Sequence, residues 1–337
     1  YKMAIDLADV AILATPPGFR PEHFEYAINN DKHVFMEKPV ATDSSGVRKV
    51  LKAAKLADKK QLNVVVGLQR RYQKSYNTIL DLLQNGKIGK IISGQVYWNS
   101  AGVWVRKREN GQSEMEYQMR NWYYFNWLCG DHILEQHIHN IDVANWFIGE
   151  YPISASGMGG REVRKGIDHG QIFDHHYVEF KYPGGAIISS QCRHQPGTKS
   201  NVSEFFQGTS GKVFTSDNNN CVISSHNGDT LFKYNSKSDE SPYQIEHNKL
   251  FESIRNGRVI NNEKSDELKV EKLMNFVSEY IEDDYESNSE SVFDIIYKKK
   301  GDCTEHSLLF TTMARSIGLP TREVTGWAYD GNPIYGP

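Results

Sequence analysis

The sequence has no apolar run approaching about 18 residues, so no membrane-spanning helix and no membrane partner is expected. Its opening, YKMAIDLADVAILATPP, has no charged head and only a short apolar run, unlike a signal peptide. The four cysteines, at 129, 192, 221 and 303, lie far apart with no C-x-x-C pair. Neither a zinc site nor a disulfide framework is expected, and no residue is assigned to a metal. The formal net charge is only −3, and no basic stripe is interleaved with aromatics, which argues against a nucleic-acid partner. No G-x-G-x-x-G follows any predicted strand, so the turn on which a dinucleotide pyrophosphate usually rests is not found in this sequence. Tyr1 is not a Met, and the text opens inside a domain pattern. Cytoplasm is the default expectation for compartment, with any export signal left to a segment before Tyr1.

What is present fits a soluble globular protein of two domains and a part: 337 residues, 39% hydrophobic and 24% charged. DVAILA at 9–14, KHVFM at 32–36 and LNVVVG at 62–67 are short apolar runs without alternation, as in parallel strands buried on both faces. A helix is predicted between the first two, ending at Asn30, and another from an Asp43 or Ser44 cap to Ala57. That alternation predicts a βαβ sheet, whose ligands gather at the carboxyl ends of the strands. Those ends carry Thr15, Glu37, Lys38 and Arg70 or Arg71.

Beyond residue 70 come a predicted helix at 75–88 and an alternating strand at 90–99. A loop at 102–127 follows, rich in aromatics (Trp104, Tyr117, Trp122, Trp127) and in cations. Such a loop suits either a sugar pocket or ordinary surface packing. Gly130–Gly149, GDHILEQHIHNIDVANWFIG, reads as one helix stopped by Gly149. On it Glu135 and His139 are i,i+4 neighbours, with His132 near the same face and Ile133, Ile138, Ile141 and Val143 on the other. A carboxylate beside an imidazole is what proton transfer to or from an alcohol or carbonyl requires. The same residues serve equally as a polar helix face held by structural hydrogen bonds. Strands are predicted at 153–159, 175–182, 185–192, 203–209, 212–216 and 220–224, forming a mainly antiparallel sheet, with GMGGRE at 157–162 as a loop. A helix follows at 243–257.

ATPP with His23, EKP at 37–39, the GLQRRY strand end and GDHILEQHIHNIDVANW, in this order and spacing, resemble the Gfo/Idh/MocA family of nicotinamide-dependent oxidoreductases. The resemblance covers about residues 1–262. It implies a partial Rossmann domain at 1–70 and, at 71–262, a substrate and oligomerisation domain built on an open sheet. It also implies NAD or NADP as cofactor and a sugar, inositol or related polyol as substrate. Lys38 and His139 would be catalytic, with Glu135 where an aspartate is more common. Thr15, Pro16, His23, Glu37, Lys38 and Arg71 would bind cofactor at an incomplete site. Trp122, Trp127 and His132 would face the substrate. The sheet implies a homo-oligomer.

The family's first strand and Gly-rich turn do not appear, and NNEKSDE at 261–267 shifts composition where its closing segment would follow, which places a boundary near 263. From 263 to 337, helices at 266–282 and 290–299 and then GDCTEHSLLFTTMARSIGLPTREVTGW resemble the core of transglutaminase-like domains, a papain-related α+β fold. That resemblance puts Cys303 at a helix N-terminus as a nucleophile. The whole reads as a truncated or chimeric oxidoreductase, or a genuine fusion. Two other functions stay open: acyl transfer or amide hydrolysis through Cys303, and a non-catalytic sugar-binding or assembly module.

Overall fold

The computed structural model describes residues 1–236, 238–257, 259, 277, 280–283, 291–301, 308–309 and 312–313. The chain divides into two compact units, Tyr1–Asn261 and Asn262–Pro337.

The first unit begins with α1 (Lys2–Asp6), β1 (Val10–Leu13), α2 (Arg20–Asn29), β2 (His33–Met36), α3 (Ser44–Lys59) and β3 (Val64–Val66). The strands pair in parallel in the order β1-β2-β3, Ile12 beside Phe35 and Phe35 beside Val65. Parallel strands covered by helices bury nearly every residue, which is why VVV and HVFM carry no polar alternation. Phe24, Ala27 and Ile28 of α2 and Ala53 and Ala57 of α3 pack with Val34, Met36 and Val64 in one core. The α3 helix is capped by the Asp43 carboxylate, which accepts from the Gly46 N–H at 2.7 Å.

Next come α4 (Lys74–Gln84), β4 (Ile91–Ser100), α5 (Glu114–Arg120), α6 (Asn126–Cys129), α7 (His132–Glu135) and α8 (Ile138–Ile148). Seven strands follow: β5 (Ser154–Gly160), β6 (His175–Lys181), β7 (Ile187–His194), β8 (Asn201–Gly208), β9 (Lys212–Ser216), β10 (Val222–Ser224) and β11 (Thr230–Lys233). With β4 they form an eight-stranded sheet, β11-β10-β9-β8-β4-β7-β6-β5, antiparallel except for the β4–β7 pair. α8 packs on one face through Val143, Ala144 and Phe147 against Val96, Ile188 and Phe206. Fully burying a side chain the size of Val143 or Phe147 contributes roughly 1.5–3 kcal/mol. The unit closes with α9 (Pro242–Arg255), whose Leu250 packs on Phe35, Val65 and Tyr72 beneath the small sheet.

Several expectations change. The segment 130–149 is two helices, not one: Gln136 and His137 break it between α7 and α8. The buried face of α8 is Asn140, Val143, Ala144 and Phe147, an i, i+3, i+4, i+7 stripe, while Ile138 and Ile141 are only half-buried. The segment 102–127 is not all loop. Ser113 and Glu116 form a capping box that starts α5, and S-E-M-E is the sequence signal for it. Gly157–Gly160 extend β5 rather than leaving it. A Cβ at Gly157 would lie 2.6 Å from the Tyr177 carbonyl, so glycine lets β5 run close against β6. The strand β11 is an addition to the expected set.

Within the second unit, β12 (Glu282–Asp283) pairs in parallel with β13 (Lys300–Gly301), and α10 (Val292–Lys298) lies between them in sequence. The predicted helix to 282 therefore gives way to a strand at its end. Val277, Ile281, Ile295 and Leu309 form this unit's buried cluster. Cys303 and the residues proposed around it lie outside the described residues.

Candidate active site

Lys38 stands at the carboxyl end of β2, before a cis bond to Pro39. Its ammonium donates to the Glu135 carbonyl oxygen and lies 3.4 Å from Glu135 Oε2. Glu135 ends α7 and is 7% exposed. Burial pushes its carboxyl up to about 7, against the charges of Lys38 and Arg20. A carboxyl placed there is poised to exchange a proton near neutrality. His139 is buried on the first turn of α8, and its Nδ1 has no partner among the described residues. Burial, then the charge of Lys38, holds its imidazole well below the usual histidine range, so it stays neutral. Trp98 stacks on it at 5.8 Å. Lys38 is thus the charge that both groups feel. No hydrogen bond joins Glu135 to His139 among the described residues, so the expected i,i+4 pairing is not made. The break at residues 136 and 137 turns His139 away from the geometry of a continuous helix.

Three buried groups that support this corner were not anticipated as a set. Arg70 forms a buried ion pair with Glu204. Glu204 also accepts from Tyr76 Oη at 2.9 Å, Thr215 Oγ1 at 2.7 Å and Asn140 Nδ2 at 2.6 Å. Burial pushes this carboxyl up, and the charge of Arg70 with the three neutral donors opposes that only in part. Because Asn140 follows His139, the network fixes the first turn of α8. Arg20 spans the strand ends, donating to the carbonyls of Thr15 and, at 2.7 Å, Pro39. Tyr123 is buried and close enough for the charge of Glu135 to raise its phenol well above the usual range after burial has done so.

Among the residues expected to bind cofactor, Thr15 is exposed at the end of β1, its Oγ1 3.1 Å from His23 Nδ1. Pro16 and Glu37 are half-buried beside it. A Cβ at Gly67 would lie 2.7 Å from the Glu37 carboxylate, so that glycine lets the end of β3 close over it. Arg71 instead makes a bidentate pair with Asp142, both bonds 2.8 Å, and lies over Trp146. Its guanidinium is committed to α8. The residues expected to face the substrate have separate hydrogen-bond and ring partners. Trp127 is exposed and donates to Gln118 at 2.7 Å, and Trp122 packs edge-on against Trp104. His132 is fully buried.

His132 lies in a histidine cluster that sequence spacing does not reveal. Its ring stacks on His194 at 4.2 Å and meets His176 edge-on at 4.8 Å. Asp131 Oδ1 is 3.2 Å from His176 Nε2 and 3.8 Å from His132 Nε2. The Asp-His-His run at 174–176 is the available signal, but its partners are more than forty positions earlier.

Comparison with known proteins follows the same division. Residues 2–68 match the model described as oxidoreductase family, NAD-binding Rossmann fold, and 76–213 match the GFO/IDH/MocA C-terminal domain. Residues 255–335 match the transglutaminase-like superfamily. The chain is 27% identical over 183 residues to 2,7-anhydro-N-acetylneuraminate hydratase of Escherichia coli, covering 54% of this chain and 45% of that one. It is 25% identical over 187 residues to inositol 2-dehydrogenase of Rhizobium meliloti, covering 55% and 51%. The chain thus spans about half the length of the curated relatives it matches. Its fold matches a levoglucosan dehydrogenase in complex with NADH and levoglucosan, with a TM-score of 0.61 at 17% identity over 77% of this chain and 75% of that one.

Proposed function

From the matches of residues 2–68 and 76–213 to the Gfo/Idh/MocA oxidoreductase models, we propose that this chain carries the catalytic part of a dehydrogenase for a sugar, inositol or related polyol. The observation that carries the reading is the Lys38–Glu135 pair, with Glu135 held near neutrality at the carboxyl end of the parallel sheet. The residues fit the nicotinamide end of NAD or NADP. Thr15, Pro16, Glu37 and Lys38 lie partly open at the strand ends, where such sheets take their ligands. The nicotinamide, when bound, accepts or returns the hydride. Lys38 would hold the substrate oxygen and favour its negative charge. Glu135, or neutral His139, would take the hydroxyl proton during oxidation and return it during reduction.

The reading includes association through the open face of the large sheet. Met158, Tyr177, Gln191 and Tyr97 form one row across β5, β6, β7 and β4, and Met158 is 77% exposed. The transglutaminase-like match gives the tail a fold relationship, but Cys303 lies outside the described residues and is assigned no chemistry.

The test is nicotinamide reduction by the chain extended upstream with a Gly-rich βαβ unit that supplies the pyrophosphate turn, with NAD and NADP separately, against inositols, aldoses and anhydrosugars. Reduction that requires Lys38 is expected. Failure with every polyol, or full rates in Lys38→Ala, would overturn the reading.

A further inference from the structure

The cluster of Asp131, His132 and His176 has the donor set and the unmet valences of a metal centre. His132 is 0% exposed, and neither of its ring nitrogens has a hydrogen-bond partner among the described residues. A neutral imidazole carries one donor and one acceptor, so burying both unmet is unfavourable unless something else occupies the space between them. His176 Nε2 is also without an aligned hydrogen bond, although Asp131 Oδ1 is only 3.2 Å away. One donor atom from each of the three residues lies within 4.8 Å of the others.

From this geometry we infer a binding site for one divalent transition-metal ion, held by the Asp131 carboxylate and the imidazoles of His132 and His176. Two imidazoles and one carboxylate are a donor set suited to Zn²⁺ and to Mn²⁺, Fe²⁺ or Co²⁺, and leave a position for water or a ligand oxygen. Ligand bonds of about 2.1 Å in a tetrahedral site place neighbouring donors roughly 3.4 Å apart. The Asp131–His176 separation already meets that. The Asp131–His132 separation of 3.8 Å and that of the two imidazole nitrogens, within 4.8 Å, close by rotation of the side chains on binding.

The surroundings support the ligands. Asp131 Oδ1 accepts from the His132 N–H at 2.5 Å and Oδ2 from the Phe173 N–H at 2.9 Å, which orients the carboxylate. His194 stacks against His132 and fixes that ring from behind. Because His132 and Glu135 share the single turn of α7, the ion would tie the element bearing Glu135 to β6. This site is separate from the nicotinamide reading and stands or falls without it.

The test uses the full chain without an affinity tag, stripped with chelator and titrated with Zn²⁺ by calorimetry. One equivalent is expected to bind at micromolar affinity or tighter. His176→Ala and Asp131→Asn should each weaken it at least tenfold, while His175→Ala, on the same strand but outside the donor set, should not. Substitution with Co²⁺ should give visible absorption of a nitrogen and oxygen site, without a thiolate charge-transfer band. Crystals of the wild-type chain soaked in Zn²⁺ provide a check that needs no variant to fold, with an anomalous peak expected between Asp131 and His176. No binding above background, binding unchanged in Asp131→Asn, a thiolate band, or a peak elsewhere would overturn the proposal.

Discussion

Lys38 and Glu135 are 97 positions apart, yet the Lys38 ammonium donates to the carbonyl oxygen of Glu135 and lies 3.4 Å from its Oε2. One contact thereby joins the parallel sheet to α7 and places a cation against a buried acid. The carbonyl bond orients the lysine whatever the protonation of the carboxyl, so the pair need not break when Glu135 exchanges a proton.

Glu135 should set a pH limb. With its carboxyl pushed up to about 7, polyol oxidation should rise as pH climbs through about 7 and the base form appears. Glu135→Gln should lower kcat by roughly 10²-fold and remove that limb. Rates measured across pH 5.5–9 check it; an unchanged profile in the variant would mean that another group titrates.

His139 should matter through a different signature. Burial keeps it neutral, so no protonated form needs to be titrated away above pH 6. His139→Asn keeps a polar group beside Trp98 and should cost roughly 10²-fold in kcat with little change in melting temperature. A large loss of stability with normal turnover per folded molecule would make the residue structural.

The Arg70–Glu204 pair should be unforgiving to single changes. Removing one member strands the other charge in the core, which costs roughly 3–5 kcal/mol. Arg70→Met and Glu204→Leu should each lower stability by that order, and the double variant by less than the sum. Denaturant unfolding of the four proteins measures the coupling.

Much of the fold was legible because its signals are local. HVFM and VVV announce buried parallel strands, while VAIL is buried on one face only, its Ile12 being exposed, and Gly149 ends α8 with a left-handed φ of 78°. The site was legible only where a motif fixes it, as at Lys38 and Glu135. Asp131 adopts a φ of 75°, and Gln136 and His137 then break the helix; neither residue is a strong helix breaker, so periodicity alone runs the helix through. The Glu204 network and the His132–His176–His194 cluster depend on strand register in the large sheet, which brings β6, β7 and β8 to α7 and α8. Register follows from long-range pairing and leaves little trace in spacing. Arg71 shows the converse: a strand-end arginine beside a motif, whose pairing with Asp142 of α8 is not visible in spacing.

The row Met158–Tyr177–Gln191–Tyr97, exposed at Met158 and Tyr177 and half-buried at the other two, should respond to charge. Placing like charges on a sheet face that pairs with its copy costs several kcal/mol per contact across the symmetry axis. Met158→Glu with Tyr177→Glu should dissociate an oligomer without altering the melting of a single chain. Light scattering after gel filtration measures the mass, and an unchanged oligomer would place the contact elsewhere.

Glu246 should make stability fall as pH rises. It sits in α9 at 1% exposure, its Oε2 without a hydrogen-bond partner among the described residues. Burial, and then the charge of Glu37, push its carboxyl up to about 8. In the unfolded chain the same group titrates near 4.5. Between those values the folded protein holds a proton that the unfolded chain has released, so stability declines from about pH 4.5 and levels above about pH 8. A tenfold difference in proton affinity between folded and unfolded chain is worth about 1.4 kcal/mol, and partial relaxation of the site leaves an expected loss on the order of 2–4 kcal/mol at pH 9. Glu246→Gln keeps the shape and removes the charge. It should match the wild type near pH 5, where the native carboxyl is already neutral, and exceed it at pH 9. Glu252→Gln, on the exposed side of the same helix, should leave stability unchanged at both. Urea unfolding followed by tryptophan fluorescence at the two pH values decides it. A Glu246→Gln variant no more stable than the wild type at pH 9 would mean that the carboxylate finds water or a cation when it ionises.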